Sequence, residues 1–105
     1  SRDNRQLLRF AVQLPCTLNS RTYRSEGTIL NLSKQGYAVL AANRQQFRPS
    51  LTLWIDLPDS TTPIDIELAG VRLVSEQRCG LEFIRISPEM LSRLDSFVFV
   101  LEHTP

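Results

Sequence analysis

The sequence predicts a mainly β fold: a small antiparallel β-barrel of six or seven strands, followed by one C-terminal α-helix. Several short segments alternate between apolar and polar residues, which is the period of a half-buried strand. Turn-forming residues separate these segments, and a helix-start signal follows the last of them. Strands this short bury their apolar faces only by closing into a barrel or packing as a sandwich.

The first predicted strand is Phe10–Leu18, where every second residue is apolar. Pro15 makes it an edge or bulged strand, because proline cannot donate to a central ladder. Residues 1–9 are polar and rich in arginine and are predicted to be a loop. Asn19–Gly27 is also polar and is predicted to be a hairpin connection.

One later segment changes its phase. From Ile64 to Leu68 the apolar residues occupy even positions, but Val71 and Leu73 occupy odd ones. One extra residue at Gly70 explains the change and predicts a β-bulge there. The strands predicted after the first one are Thr28–Leu32, Gly36–Ala41, Leu51–Leu57, Ile64–Leu73 and Cys79–Ile86.

The helix is predicted over residues 87–102. Ser87 suits the N-cap, Pro88 the first helical position, and Glu89 the positive end of the helix dipole. Apolar residues then recur at helical spacing up to Leu101. They form a stripe that is wider than one buried face needs.

The composition limits the classes of function. A chain of 105 residues with a net charge of +1 is expected to be one domain, spanning residues 1–105, and not a generally basic DNA binder. Its charge is uneven, since residues 1–50 carry eight basic and two acidic side chains, whereas residues 51–105 carry four basic and nine acidic ones. The chain starts at Ser1 without an initiator methionine, so we expect a piece of a longer protein.

No catalytic or metal centre is predicted. The one histidine, His103, lies near the end of the sequence and is expected to be solvated, so a nucleophile would have no positioned base. Cys16 and Cys79 are far apart and lack the spacing of a zinc site. We expect two buried thiols; the alternative is one disulfide between them.

Two short motifs remain. The first is Arg5-x-x-x-Arg9, directly before the first strand, and the second is Asn31-x-Ser33-x-x-Gly36. Taken singly, the first is explained by a solvated basic terminus. The second is explained by a tight loop in which side chains bond the backbone and glycine takes a positive φ.

Taken together, in this order and spacing, the two motifs resemble the paired signature of the PilZ domain, the bacterial receptor for cyclic di-GMP. The resemblance covers nearly the whole chain, because Tyr37–Val39 and Gly80–Phe83 resemble two further strands of that family and the last helix also matches. It implies a split-barrel-like fold with a mobile ligand loop at residues 1–9, the barrel at 10–86 and the helix at 87–102.

The resemblance also implies the site and its role. Cyclic di-GMP would be the regulatory ligand, without a metal, and its binding would be relayed as a switch to a host enzyme or partner. One candidate host is a cellulose synthase catalytic subunit, which would place the domain in the cytoplasm, on the cytosolic side of an inner-membrane protein and not inserted in the membrane. The ligand contacts would be Arg5, Arg9, Asn31, Ser33 and Gly36, with Arg2, Asn4 and Arg72 as further candidates.

The sequence is also compatible with two other functions. A PilZ-like adaptor that binds protein and no nucleotide would use the acidic second half, or the apolar excess of Phe97 and Phe99, as its contact surface. A barrel that binds single-stranded nucleic acid would need several exposed aromatic side chains along a basic groove. Most aromatic residues of this sequence fall on positions predicted to point inward.

Overall fold

A computed structural model of the chain describes residues 9–19, 24–43, 46–58 and 60–104. Within these ranges the chain forms six strands and one helix. The elements are β1 (Arg9–Asn19), β2 (Arg24–Ser33), β3 (Tyr37–Ala41), β4 (Ser50–Ile55), β5 (Ile64–Val74), β6 (Arg78–Ile86) and α1 (Pro88–Glu102).

The six strands form a closed barrel in the order β1-β2-β3-β6-β5-β4. All neighbours are antiparallel, and β4 returns to pair with β1 through contacts such as Cys16 opposite Ile55. The predicted fold class, an antiparallel barrel with one C-terminal helix, is confirmed.

The barrel interior is filled by aliphatic side chains from all six strands, such as Ile29, Leu40 and Leu53, which are fully buried. This burial follows the alternation in the sequence, because successive side chains of a strand point to opposite faces. Helix α1 packs against β5 and β1 and buries Leu94 and Val98.

Strand β2 is longer than the sequence indicates. Arg24–Gly27, predicted to be part of a connection, instead pairs with Cys16–Asn19 of β1. Arg24 and Glu26 are exposed, so their side chains lie on the solvent face of the barrel. A polar segment can therefore form a regular strand when only its other face is buried.

Of the two predicted alternatives for the strand that contains Pro15, edge or bulged, the second is confirmed: β1 has a neighbour on both sides, and its register against β2 shifts between Ala11 and Leu14. The Pro15 carbonyl accepts a hydrogen bond from the Asp56 N–H at 2.9 Å, so this side of the residue faces the segment that follows β4. The ladder between β1 and β4 begins only at Cys16. In an extended strand the N–H and C=O of one residue point to the same side. The N–H that Pro15 lacks would therefore face the segment after β4, beyond the end of the ladder, so no hydrogen bond of the ladder is lost.

Strand β5 contains the predicted bulge, but two or three residues before Gly70. Leu51 and Leu53 of β4 pair with Ala69 and Ile66, so two steps along β4 correspond to three along β5. A second extra residue, Arg72, lies between the pairs that β5 forms with β6. The expectation that Leu73 faces the core is therefore wrong, since this second shift turns its side chain outward and leaves it 75% exposed.

Helix α1 begins as the sequence predicts. The Ser87 side chain accepts a hydrogen bond from the Met90 N–H at 3.2 Å. Arg93 fixes the helix to the segment before β5, donating to the Pro63 carbonyl at 3.1 Å, the Ser60 hydroxyl at 2.7 Å and the Thr62 carbonyl. No helix in the described ranges is long and apolar enough to cross a membrane.

The two cysteines are free thiols, and both are buried. Burial raises the pKa of the Cys16 thiol to about 12 and that of the Cys79 thiol to about 11, because the thiolate would lose its hydration. The expectation of two buried thiols without a disulfide is confirmed.

The raised thiol pKa values predict both reactivity and pH dependence. Ellman's reagent should not label the native protein at pH 8 and should label both thiols in denaturant, because only an exposed thiolate reacts. In the unfolded chain the thiols ionise near pH 9.0, below their folded pKa values of about 11 and 12. The free energy of unfolding should therefore fall as the pH rises above about 9.

A Cys16→Ala/Cys79→Ala variant is the control, and urea titrations at pH 8 and pH 10.5 measure the effect. The difference in unfolding free energy between the native sequence and this variant should shrink at the higher pH. Rapid labelling of the folded protein would contradict the burial of the thiols.

Candidate functional site

The structure describes some of the site residues that the sequence predicts and not others. Arg9, Asn31, Ser33, Gly36 and Arg72 belong to the described ranges. The other predicted contacts lie outside the described residues; they are Arg2, Asn4 and Arg5.

Arg9 and Asn31 are brought together on the outside of the barrel. Arg9 is the first residue of β1 and was expected in the loop before it; it pairs with Ser33 at the end of β2. Its side chain donates a hydrogen bond from a guanidinium nitrogen to Asn31 Oδ1 at 3.1 Å. The contact joins one member of each motif across 22 positions of sequence. It leaves an arginine and an amide side by side at the surface.

Asn31 owes its orientation to an irregularity in β2. Ile29 pairs with Leu40 and Asn31 pairs with Val39, so β2 holds one extra residue, Leu30, against β3. Ile29 and Leu40 are fully buried, whereas Asn31 and Val39 are only half-buried. The bulge therefore sets the asparagine on the outer face of the barrel, next to Arg9.

Ser33 has a different environment from Asn31. It is 2% exposed, and its hydroxyl oxygen accepts a hydrogen bond from the Tyr37 N–H at 3.0 Å. This bond closes the turn between β2 and β3, as the structural interpretation of the motif expects. The hydroxyl therefore holds the turn in shape.

Gly36 completes the same turn. Its φ of 90° lies in the region that side chains with a Cβ rarely adopt. Its N–H donates to the Ser33 carbonyl at 3.2 Å, and its carbonyl accepts from the Phe83 N–H at 2.8 Å. A Cβ at this position would meet nothing closer than 3.8 Å, so backbone conformation, and not space, requires the glycine.

Arg72 lies away from the two motifs. It forms an ion pair with Glu82, with its guanidinium nitrogens 2.9 and 3.0 Å from Glu82 Oε1. In the barrel order, β5 is separated from β2 by β6 and β3. In a closed barrel of six strands β5 is therefore opposite β2, and the structure does not bring this candidate into contact with the motif residues.

The turn also touches the end of α1. Lys34 lies 3.6 Å from Glu102, a partly exposed ion pair that contributes little to stability. A recess of about 210 Å³ separates the turn from α1, and apolar side chains such as Phe83, Leu94 and Val98 form much of its wall. Such a wall suits packing of the helix better than binding of an anion.

The chemistry of the Arg9 and Asn31 pair suits a nucleotide. A guanidinium binds phosphate, or the O6/N7 edge of guanine, through two parallel hydrogen bonds. The asparagine amide both donates and accepts, as a base edge requires. Among the described residues, no group of three or more His, Cys, Asp and Glu side chains could hold a metal ion.

Comparison with known proteins supports the barrel fold described above. A family model described as the PilZ domain matches residues 3–100. Among solved structures, the chain is similar to the PilZ domain of CeSA from a cellulose-synthesizing bacterium, with a TM-score of 0.61 and 15% sequence identity. The match covers 91% of this chain and 99% of the other. No curated protein matches the chain.

The structure predicts unequal stability effects for two residues of the same motif. Ser33→Ala should lower the free energy of unfolding by about 1–3 kcal/mol, because the partly buried Tyr37 N–H loses its acceptor. Asn31→Ala should change it by less than about 0.5 kcal/mol, because its hydrogen bond is at the surface. Urea titrations of both variants measure the difference. Equal stabilities would show that the hydroxyl does not hold the turn.

Proposed function

The chain belongs to the PilZ domain family, a family of cyclic di-GMP receptors, and we propose that it binds this dinucleotide at the outer-face site of Arg9 and Asn31. The observation that carries the proposal is the 3.1 Å hydrogen bond between these two side chains. It joins the two motifs whose combination is typical of ligand-binding members. Domains of this family bind and regulate; they do not catalyse.

Arg9 would contact a phosphate or a guanine edge of the ligand. Its hydrogen bond to Asn31 restricts the guanidinium before the ligand arrives, so less side-chain entropy is lost on binding. Asn31 would then bond the base beside it. Each charge-assisted hydrogen bond contributes roughly 1.5–3 kcal/mol.

Arg5 would supply the second guanidinium, because it is the other arginine of the first motif. Arg2 and Asn4 would lie close to the same ligand and bear on whether one or two molecules bind. Ordering of this segment around a charged ligand is a recognised form of molecular switch. The switch would act on a host enzyme or a partner protein.

Ser33 and Gly36 would support the site through the backbone. The Ser33 hydroxyl accepts from the Tyr37 N–H, and Gly36 provides the positive φ that the turn needs. Both therefore position Asn31 and the start of β1, which pairs with Ser33. A contact of Gly36 with the ligand itself would use its exposed backbone.

The host would belong to exopolysaccharide synthesis or motility. Support for the first comes from the similarity to the PilZ domain of CeSA from a cellulose-synthesizing bacterium. The domain would then act in the cytoplasm, at the cytosolic side of a membrane enzyme that carries out the chemistry.

A second candidate function is a protein adaptor that binds no nucleotide. It is favoured by one observation, the exposed apolar face of α1, where Leu91, Phe99 and Val100 are 43%, 59% and 58% exposed. Phe97, expected at the same surface, instead packs against the barrel core. The two functions differ in whether Arg9 or the outer face of α1 is needed for activity.

Calorimetric titration of the domain with cyclic di-GMP tests the proposal. We expect binding that is at least tenfold weaker in Arg9→Ala and in Asn31→Ala, because each variant removes hydrogen bonds to the ligand. Arg85→Ala, which removes another exposed arginine, is the matched control and should bind like the native sequence. GTP should not compete.

The fitted stoichiometry will show whether one or two molecules bind. Absence of binding by a folded domain would rule out the receptor function and favour the adaptor. Equal losses in Arg9→Ala and Arg85→Ala would indicate a non-specific charge effect.

A further inference from the structure

A cation–π stack lies on the outer face of β2, β1 and β4, away from the site of Arg9 and Asn31. The guanidinium carbon of Arg24 is 4.8 Å from the centre of the Trp54 ring. Trp54 lies between two fully buried residues of β4, so its side chain points out of the barrel. Arg24 is exposed and reaches the ring across β1. Tryptophan and arginine are among the side chains most enriched at the centres of protein interfaces.

The strand registers place acidic side chains in line with the tryptophan. Thr17 of β1 pairs with Glu26 on one side and with Trp54 on the other, and Trp54 pairs with Asp65. These four residues form one row across β2, β1, β4 and β5. At a strand spacing of about 4.8 Å, the row is about 14 Å long.

Two further carboxylates border this row. Asp56 follows Trp54 by two positions and Glu67 follows Asp65 by two positions, and both are exposed. Since side chains two positions apart share a face of a strand, both belong to the same outer surface. We call this surface the Trp54 face; it consists of Arg24, Glu26, Trp54, Asp56, Asp65 and Glu67.

The carboxylates of the Trp54 face are not neutralised by the fold. None of the four forms an ion pair with a described residue. Arg24 lies two positions from Glu26 on the same strand, yet it stacks on Trp54 and does not pair with that carboxylate. Four carboxylates and one guanidinium therefore give this part of the barrel a negative potential.

The Trp54 face also has a concave part. A hollow of about 500 Å³ is lined by Glu26 and Asp56 and, between them, by short side chains that include Thr17 and Thr28. The hollow has room for the charged end of a long side chain. An ammonium or guanidinium group placed there would meet two carboxylates and two hydroxyl groups.

We propose that the Trp54 face docks a basic segment of a partner protein, with a lysine or arginine side chain in the hollow between Glu26 and Asp56. The aliphatic part of the segment would pack against Trp54. Charge complementarity selects this occupant, because the carboxylates repel nucleic acids, anionic membranes and acidic proteins. An aromatic and an arginine at the centre, with charged groups at the rim, have the composition of a protein–protein contact.

The Trp54 face and the dinucleotide site lie at opposite ends of the hairpin of β1 and β2. Arg9 pairs with Ser33 at one end, and Asn19 pairs with Arg24 at the other. The two ends are joined by an 11-residue strand, which is about 30 Å long. Charges that far apart are screened from each other at physiological salt. The partner would therefore bind with or without the dinucleotide, and the inference does not rest on the proposed function.

Trp54 is the only tryptophan of the chain, so its fluorescence reports directly on this face. Titration of the domain with a lysine hexapeptide at low salt should give a saturable change in Trp54 emission. A glutamate hexapeptide should give none. Salt at about 0.5 M should weaken the binding of the lysine peptide strongly, because exposed charges are then screened.

Glu26→Gln/Asp56→Asn tests the hollow. This variant should bind the lysine peptide about fivefold more weakly or less, because two exposed ion pairs are lost. Glu76→Gln/Asp95→Asn is the matched control: it makes the same change in net charge away from the Trp54 face and should bind like the native sequence. All four side chains are exposed, so both variants should keep the native melting temperature, measured by circular dichroism.

The outcomes decide the proposal. Equal losses in the two double variants would reveal a general charge effect and overturn it, as would a lysine peptide that leaves Trp54 emission unchanged. Sedimentation of the native domain at rising concentration tests a second copy as the occupant. A dimer that Glu26→Gln/Asp56→Asn abolishes would assign the face to self-association and overturn the basic partner.

The receptor function is tested separately in the same titration. Arg9→Ala and saturating cyclic di-GMP should each leave the affinity for the lysine peptide unchanged. A domain that binds the lysine peptide at the Trp54 face but binds no cyclic di-GMP would support this proposal and rule out the receptor function. The reverse result would rule out the docking face alone.

Discussion

Closure of the sheet, completed by the pairing of β4 with β1, is the constraint on which the rest of this domain depends. A closed barrel gives every strand residue only two choices, inside or outside. The inside is small and takes aliphatic side chains such as Ile29 and Leu53, which are fully buried. All polar chemistry is thereby confined to the outer face and to the turns. A site for a charged ligand must be built on the outer surface, from residues that the strand order makes neighbours.

β-Bulges allow a side chain to change from the inner to the outer face even though the barrel is closed. An extra residue in one strand moves the next side chain to the other face without breaking the barrel. Leu30 does this for Asn31, and Arg72 does it for Leu73. The turn after β2 also separates structural from exposed residues. Ser33 and Gly36 hold the backbone conformation of the turn, whereas Asn31 faces outward. Residues of a single short motif therefore have distinct physical tasks, and a substitution at each has a distinct consequence.

Much of the fold was predictable from the sequence because alternation and capping are local. Ser87 caps α1 as expected, and Leu14, Cys16 and Leu18 face the core. The extent of β2 was not predictable, because Arg24 and Glu26 lie on the solvent face of the strand, and polar residues there do not distinguish a strand from a loop. The contact of Arg9 with Asn31 was expected only through the resemblance. The outward position of Leu73 depends on the register between β5 and β6, and no local pattern specifies a register shifted by bulges.

The order of the strands also bears on how fast the barrel assembles. Neighbouring pairs such as β1 with β2 and β5 with β6 are hairpins and close over short stretches of chain. The pairing of β3 with β6 joins Tyr37 to Glu82, and that of β1 with β4 joins Leu18 to Leu53. Loop entropy must be lost before these distant pairings form, which places such topologies among the slower two-state folders, at milliseconds to seconds. The hairpins then form early, and the outer face that β3 and β6 share exists only after these two strands have paired.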